Sequence, residues 1–294
     1  MVEIRCFGES DLPVLMEMLK QPSSEQRLPY THYYNGDFLC WLHERGIEVL
    51  MAEVDGKVVG SVAYNDGYWG EEIEWLLSDQ GGDRRFVEDA LVEEAEKFVK
   101  RGAVFIAVAA GSPKIADWTR RGYFLNGGLN LMVASLAEPK VITKIPGGVV
   151  LRSLKPEEED KFIELVNSAF GWKRVKIGDT QKWKITSPPF DEEWIRVAEV
   201  DGKLVSVVVA KPDVGYNVYF NAKRGYLGPA ATLEEQRRKN LASALTLDAM
   251  NFLSKQGMDS VCLFTSESNT ASTGLLEKIG FRVEINWKFM RKQF

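Results

Sequence analysis

The sequence contains few of the residues from which metal centres and disulfide frameworks are built. Its 294 residues include three cysteines that are far apart and lack the spacing of metal ligands: Cys6, Cys40 and Cys262. We therefore expect reduced, mostly buried thiols and no metal site. The two histidines, His32 and His43, are too few for a histidine-based metal centre or a Ser-His triad. We interpret both as ordinary helix residues.

Long apolar runs are also missing, since no stretch approaches the ~18 consecutive apolar residues of a membrane-spanning helix. The N-terminus (MVEIRCFGESD) has no basic region followed by an apolar one, as a secretory signal would have. The formal net charge of -5 is spread over interspersed acidic and basic residues, which argues against a nucleic-acid-binding protein. We expect a cytoplasmic protein with no nucleic-acid or membrane partner, and the sequence leaves its oligomeric state open.

An internal repeat organises the chain. The segment AEVDGK occurs at 52–57 and again at 198–203, and each copy sets Asp-Gly, a hairpin signal, between two strand-like runs. Around both copies the order strand, helix, hairpin, long helix, strand and helix recurs. We predict two tandem domains at 1–136 and 149–294, joined by a linker at 137–148. Each is predicted to be an α/β (α+β) domain with a mixed, mostly antiparallel sheet and helices on both faces.

The segment 232–253 is predicted to end a strand, make a polar turn and continue as an amphipathic helix. Its apolar positions recur at helical spacing: Leu241, Leu245, Ala249, Phe252 and Leu253. This spacing places the helix start near Lys239 or Asn240. The first helical turn exposes backbone N–H groups and partial positive charge, and Arg237, Arg238 and Lys239 add to it. We predict a phosphate or pyrophosphate site there, although the glycine spacings of Walker and dinucleotide loops are absent. An ordinary surface helix with a basic tip is the alternative.

The run Arg237 to Ala242 (RRKNLA) resembles the Arg/Gln-x-x-Gly-x-Gly/Ala signature of the GNAT superfamily of acetyl-CoA-dependent N-acetyltransferases. Ala230-Ala231-Thr232 resembles the end of the fourth strand that precedes this signature. The first glycine of the signature is Asn240 here, and Asn is one of the few other residues that tolerate a left-handed backbone. In folds of this family the fourth and fifth strands splay apart, and the cofactor enters the gap.

A second resemblance lies downstream, where Ser260 to Thr265 is predicted to be a buried strand and Asn269 to Ile279 a helix. Gly280 is placed as its C-terminal cap, with Phe281 folding back on the last turn. Asn269 could equally be a plain N-cap. Together the two resemblances imply acetyl-CoA as co-substrate. They imply these cofactor-binding residues: Ala230, Ala231, Thr232, Arg237, Arg238, Lys239, Asn240, Leu241, Ala242, Ser243 and Asn269.

The N-terminal repeat is expected to have lost this anion site. Aligning Ala90-Leu91 with Ala244-Leu245 puts Glu88 in the place of Ala242. A carboxylate ~4 Å from a pyrophosphate oxygen costs about 4 kcal/mol at an effective dielectric constant near 20. We therefore predict one acetyl-CoA site, in the C-terminal domain. The alternative is a slipped alignment in which Gly81-Gly82 forms the loop.

No catalytic residue is assigned from the sequence. The Leu-Tyr pair of many relatives is Leu275-Leu276 here, and the two strands beside the site contain no Glu. Three nearby residues are interpreted as structural rather than catalytic: Glu267, Tyr219 and Tyr226. The hydroxyls of Ser266 and Ser268 are weaker candidates still. Catalysis through ordered water or the C-terminal carboxylate of Phe294 stays open.

The acceptor is expected to be a small-molecule or peptide amine of unknown identity. Aromatic residues fall where relatives build the acceptor wall, although such residues are more often core: Trp172, Trp183, Trp194 and Tyr216. The charge run 191–193 could attract a cation, but a solvated surface is the more ordinary interpretation. The leading hypothesis is an acetyl-CoA-dependent N-acetyltransferase. The alternatives are a non-catalytic acyl-CoA-binding or sensor protein and a protein-binding module.

Overall fold

The computed structural model describes residues 2–21, 38–67, 70–79, 81, 84–142 and 145–294. They form two compact units. Unit 1 comprises Met1–Asn130, Ser266–Ser268 and Ile285–Phe294, and unit 2 comprises Leu131–Thr265 and Asn269–Glu284. The predicted boundaries at 136 and 149 describe the sequence repeat, and they stay a prediction.

Unit 1 is built from strands and helices in the order that the sequence predicts. The strands are β1 (Val2–Cys6), β2 (Glu48–Val54), β3 (Lys57–Gly67), β4 (Gly70–Ser78) and β5 (Ala103–Ala109), with β6 (Phe124–Ser135) beginning in this unit and ending in unit 2. The helices are α1 (Leu12–Leu19), α2 (Phe38–Arg45), α3 (Arg84–Glu96) and α4 (Lys114–Arg120). Strands β1 to β4 pair antiparallel in sequence order, and β4 pairs with β5 in parallel.

Unit 2 repeats this arrangement and adds one helix between its third and fourth strands. Its strands are β7 (Val149–Ser153), β8 (Ile195–Val200), β9 (Lys203–Pro212), β10 (Arg224–Thr232) and β11 (Ser260–Ser266), and its helices are α5 (Glu159–Phe170), α6 (Asp179–Thr186), α7 (Val214–Phe220), α8 (Leu241–Lys255) and α9 (Thr270–Lys278). Strands β7 to β10 pair antiparallel in sequence order, and β10 pairs with β11 in parallel. The predicted mixed, mostly antiparallel sheet is confirmed for both halves.

The C-terminal strand β12 (Arg282–Gln293) has a partner that the repeat does not indicate. It pairs antiparallel with β5 of unit 1, with Trp287 opposite Ala109 and Gln293 opposite Ala103. Beyond it, the Phe294 N–H donates to the carbonyl of Gly102 at 2.9 Å. The end of the chain therefore completes the sheet of unit 1.

Helices cover both faces of the sheet in unit 1, as alternation along β3 shows. Val62 belongs to a core with Val87 and Leu91 of α3, whereas the next residue, Ala63, belongs to a core with Leu15 of α1. Side chains alternate between faces along a strand, so neighbouring residues enter different cores. This confirms the predicted placement of helices for unit 1.

The repeat extends to a partly exposed network of one arginine and two carboxylates. In unit 1, Arg5 lies 2.6 Å from both Asp11 and Glu53. In unit 2, Arg152 lies 2.7 Å from Glu158 and 2.5 Å from Glu199. Each arginine lies on the first strand of its unit. One of its partners is on the hairpin, and the other is in the turn before the first helix. This three-residue network was not recognised in the sequence, because its members are far apart along the chain.

Both predicted Asp-Gly hairpins are confirmed. Asp55 and Gly56 have φ of 50° and 72°, and Asp201 and Gly202 have φ of 48° and 77°. Two successive positive φ angles characterise the hairpin turn that matches the twist of paired strands.

The expectation of mostly buried cysteines is wrong for two of the three. Cys262 is buried in β11, but Cys6 and Cys40 are exposed. Cys6 lies on the edge strand β1, and Cys40 lies on the outward face of α2. His43 lies in α2 as expected, whereas His32 and Gly82 fall outside the described residues. Among the described helices, none is both long and apolar enough to cross a membrane.

Candidate functional site

The parallel pair β10 and β11 diverges in unit 2. The two strands pair only from Arg224 opposite Ser260 to Tyr226 opposite Cys262. Beyond this rung β10 continues to Thr232 and β11 to Ser266. Beyond Tyr226, the edge of β10 that faces β11 is therefore not paired with β11. The predicted residues Ala230, Ala231 and Thr232 lie on this part of β10.

A β-bulge marks the start of this part of β10. Leu227 lies opposite Ala210 and Ala230 lies opposite Val208, so β10 contains one more residue than β9. Gly228 within the bulge has φ of 150°, and a Cβ there would lie 3.1 Å from the Tyr226 hydroxyl. The bulge therefore needs glycine, both for its backbone angle and for its contact with Tyr226.

The turn between β10 and α8 has two residues with a left-handed backbone. Arg238 and Asn240 both have φ of 63°. The first intrahelical bond of α8 runs from the Ala244 N–H to the Asn240 carbonyl at 3.0 Å. The N–H groups of residues 241–243 therefore lie where the helix itself offers them no acceptor. Helix α8 begins at Leu241 with Asn240 as its N-cap, which confirms the predicted start near Lys239 or Asn240.

The three basic residues of the turn make different contacts. The Arg237 guanidinium donates to the carbonyls of Thr232 at 3.3 Å and Ala169 at 3.2 Å. Lys239 Nζ donates to Gln236 at 2.9 Å, and Arg238 is exposed. Arg237 thus holds the turn against β10 and the end of α5, and all three residues immediately precede the start of α8.

The second predicted segment has the expected caps. Asn269 accepts a hydrogen bond from the Ser272 N–H at 3.1 Å and is the N-cap of α9. Gly280 has φ of 100°, and the N–H of Phe281 donates to Leu276 at 3.0 Å. The predicted glycine cap with its folded-back phenylalanine is therefore confirmed. Ten of the eleven predicted cofactor residues form one segment from β10 into α8, and Asn269 begins a different helix.

Unit 1 differs from unit 2 at the equivalent turn. Buried residues of α3 and α8 match under the sequence alignment: Val87 with Leu241, Leu91 with Leu245 and Ala95 with Ala249. Under this alignment Glu88 stands at the place of Ala242. Helix α3 begins at Arg84, three residues before Val87, so helix replaces the left-handed turn.

Glu88 is buried among cations in unit 1. Its carboxylate oxygens lie 2.5 and 2.6 Å from Lys114 Nζ, 2.8 Å from Arg84 Nε and 3.1 Å from Arg121 Nη2. The Ser78 hydroxyl also donates to it at 2.8 Å. These partners outweigh the effect of burial and lower the pKa of Glu88 to about 2. Unit 1 thus has the carboxylate of Glu88 at the position where unit 2 has Ala242, next to the left-handed turn.

Two of the four aromatic residues that could form an acceptor wall make other contacts. Trp194 is 3% exposed and belongs to the core. The Tyr216 ring lies 3.2 Å from the Arg224 guanidinium. In the charge run, Asp191 accepts from the Glu193 N–H at 2.8 Å and Glu192 pairs with Lys184 at 2.5 Å. The run is a surface with local partners.

Two aromatic rings and a lysine lie together at the divergence of β10 and β11. Lys211 of β9 stands opposite Tyr226, and its Nζ lies 4.6 Å from the Trp183 ring centroid and 5.7 Å from that of Tyr226. Burial, together with the charge of Arg174, lowers the pKa of Lys211 to about 8. Sequence reasoning missed this residue, although a lysine near the end of an otherwise apolar strand (KLVSVVVAKP) is a usable signal.

Comparisons with known proteins identify the family of the C-terminal half. Residues 150–283 match the family model for the acetyltransferase (GNAT) domain. The segment that this match covers belongs to the GNAT superfamily. A mycothiol acetyltransferase from Thermobispora bispora is 30% identical over 160 residues, which is 50% of each chain. The chain therefore covers about half the length of that relative.

Solved structures extend the likeness to both halves. A GCN5-related N-acetyltransferase from Sphaerobacter thermophilus has a TM-score of 0.74 at 16% identity, over 99% of this chain and 95% of that one. A tandem GNAT protein from the clavulanic acid biosynthesis pathway has a TM-score of 0.70 at 15% identity, over 100% and 98%. At these identities the likeness establishes the tandem GNAT fold.

Proposed function

We propose that this protein is an N-acetyltransferase that transfers the acetyl group of acetyl-CoA to an amine, and that acetyl-CoA binds in unit 2. The observation that carries this proposal is the divergence of β10 from β11 beside the left-handed turn at Asn240. The pyrophosphate would lie on the N–H groups of residues 241–243, where helix polarity favours an anion. The predicted cofactor residues, including Ala230, Ala231, Thr232 and Asn269, belong to this proposal.

The reaction needs a neutral amine, a polarised thioester carbonyl and a proton for the leaving thiolate. Backbone N–H groups at Ala231 or Thr232, on the part of β10 that is not paired with β11, would polarise the carbonyl. Leu276 is buried in α9, so that position supplies no acid. Glu267 pairs with Lys288 in unit 1, which favours its structural role.

Calorimetric titration of the intact chain with acetyl-CoA tests the cofactor site. We expect one site, with affinity reduced about a thousandfold by Ala242→Glu, because a carboxylate close to the pyrophosphate costs about 4 kcal/mol. Ala137→Glu, an equal change at an exposed residue of unit 2, is the control and should leave affinity unchanged. Two sites, or an unchanged affinity of Ala242→Glu, would contradict the assignment to unit 2.

An amine screen tests turnover, with acetylated product measured by mass spectrometry. It should include the acceptor of mycothiol acetyltransferase, because relatives carry that name. Product formation that depends on an amine supports the transferase. Binding of acetyl-CoA without product from any amine would instead support a non-catalytic acyl-CoA-binding protein.

A further inference from the structure

We propose that Lys211 carries the proton from the acceptor amine to the sulfur of CoA during acetyl transfer. This inference rests on the function proposed above and assigns a residue to its missing proton-transfer step. It is carried by the position and surroundings of the lysine.

Lys211 lies beside the last residue pair that joins β10 and β11 before these two strands diverge. It is opposite Tyr226 of β10, which is in turn opposite Cys262 of β11. Residues opposite one another on neighbouring strands project from the same face of the sheet, about 5 Å apart. Lys211 therefore stands on one face at the point where the gap between β10 and β11 opens, beside the bulge at Gly228.

The ammonium group of Lys211 lies against two aromatic rings. Trp183 packs edge-on against Phe162 at 6.3 Å and Phe190 at 5.8 Å, which fixes the ring 4.6 Å from Lys211 Nζ. Within the described residues, Lys211 makes no hydrogen bond or ion pair. The residue is half-buried, and removing an ammonium group from water without an ion-pair partner costs free energy. A role in proton transfer would explain why a lysine occupies this position.

Three charged groups lie close enough to Lys211 to influence its charge: Arg174, Asp179 and Asp213. Tyr226 lies beside it on β10, and Cys262 lies next to Tyr226 on β11. Asp213 already accepts from Arg224 at 2.7 and 2.9 Å, and Asp179 accepts from the Lys176 N–H at 2.8 Å. Burial raises the pKa of both Tyr226 and Cys262 above their ordinary values, so both stay protonated. The carboxylates are thus engaged elsewhere, and Lys211 has a neutral fraction near neutral pH.

The proposed step conserves atoms and charge. The amine nitrogen attacks the thioester carbonyl carbon, and the neutral Nζ of Lys211 takes a proton from that nitrogen. The C–S bond then breaks with its electron pair on sulfur, and the Lys211 ammonium returns the proton to the thiolate. An amide and a free thiol result, and the lysine is regenerated without another reactant. Transfer by a positioned group contributes 10²–10⁴-fold in typical enzymes.

Two substitutions of Lys211 test the role in the intact protein, with an acceptor identified by the amine screen. Lys211→Met removes the amine, and Lys211→Arg keeps the cation but does not deprotonate. Both should lower kcat at least 100-fold while the acetyl-CoA dissociation constant stays within threefold. Lys203→Met, at an exposed residue of the same strand, should match the wild type. Activity of Lys211→Arg within threefold of wild type, with the same pH profile, would overturn the proposal.

A second measurement is independent of activity. In protein labelled with ¹³Cε-lysine, one resonance should titrate near pH 8 and be missing from Lys211→Met. Titration of Lys211 near pH 10.4, the ordinary lysine value, would overturn the proton-transfer role. Failure of the wild type to acetylate any amine would overturn the transferase itself, whereas full activity of the Lys211 variants would overturn only this role.

Discussion

The Glu88 carboxylate lies 2.5 Å from Lys114 Nζ, at the place in unit 1 that corresponds to Ala242 in unit 2. The two halves therefore share a fold but differ at this position, where unit 1 has a carboxylate and unit 2 has alanine. In unit 1 the carboxylate of Glu88 is the ion-pair partner of Lys114, Arg84 and Arg121. In unit 2 the corresponding residue is Ala242, and we propose that the helix N-terminus beside it binds the pyrophosphate of acetyl-CoA.

Replacing Glu88 by Gln should destabilise unit 1 by about 3 kcal/mol at pH 7. The carboxylate is 1% exposed, and removing one partner of a buried ion pair typically costs 3–5 kcal/mol because the remaining charges stay buried. Urea denaturation measures the loss. The acetyl-CoA affinity should not change. The matched change Glu267→Gln, at a surface-accessible ion pair, should cost less than about 1 kcal/mol. Equal costs for the two variants would contradict the role given to Glu88.

Acid should remove the contribution of Glu88. Its pKa is about 2 in the folded chain against an ordinary 4.5, so the folded state favours the charged form. This stabilisation is fully present above pH 4.5 and is lost as the pH falls towards 2. The free energies of unfolding of wild type and Glu88→Gln should therefore converge between pH 4.5 and pH 2. A difference that stays constant over this range would show that the carboxylate charge is not its source.

Arg237 and Arg238 are neighbours with separable roles. Arg237→Ala removes hydrogen bonds to two carbonyls, so it should lower the free energy of unfolding by about 1 kcal/mol as well as the acetyl-CoA affinity. Arg238→Ala removes an exposed charge and should leave stability within about 0.5 kcal/mol. It should still weaken acetyl-CoA binding, more strongly at low salt. Thermal denaturation and titration at two salt concentrations check this, and equal stability losses would refute the distinction.

Local features of this fold could be predicted from the sequence because they depend on neighbouring residues. The Asp-Gly hairpins, the cap at Gly280 and the turn at Asn240 each follow from which residues tolerate a left-handed backbone. The pairing of β12 with β5 could not be predicted, because strand partners depend on contacts between residues far apart in the chain. The contact between Lys211 and Trp183 could not be predicted either, because the two residues lie on different elements and are far apart in the chain.

Asn240 should respond in opposite directions to Gly and Ala. Its φ of 63° costs an ordinary residue roughly 1–2 kcal/mol and costs Gly little. Asn240→Gly should therefore keep or raise stability and acetyl-CoA affinity. Asn240→Ala should lower the free energy of unfolding by about 1 kcal/mol and weaken binding, because the turn would adopt other conformations. Denaturation and calorimetry of both variants check this, and tighter binding by the Ala variant would contradict the left-handed turn.

Gly228→Ala should destabilise unit 2 by about 1–3 kcal/mol. The new Cβ would lie 3.1 Å from both the hydroxyl and a ring carbon of Tyr226, at a backbone φ of 150° that side chains rarely adopt. Gly147→Ala is the control, since a Cβ there meets open space, and it should change stability by less than about 0.5 kcal/mol. Near-ultraviolet circular dichroism would report the displaced Tyr226 ring. Equal stability of the two variants would show that the bulge does not need glycine. It would also show that the contact between Tyr226 and residue 228 does not restrict which residue fits there.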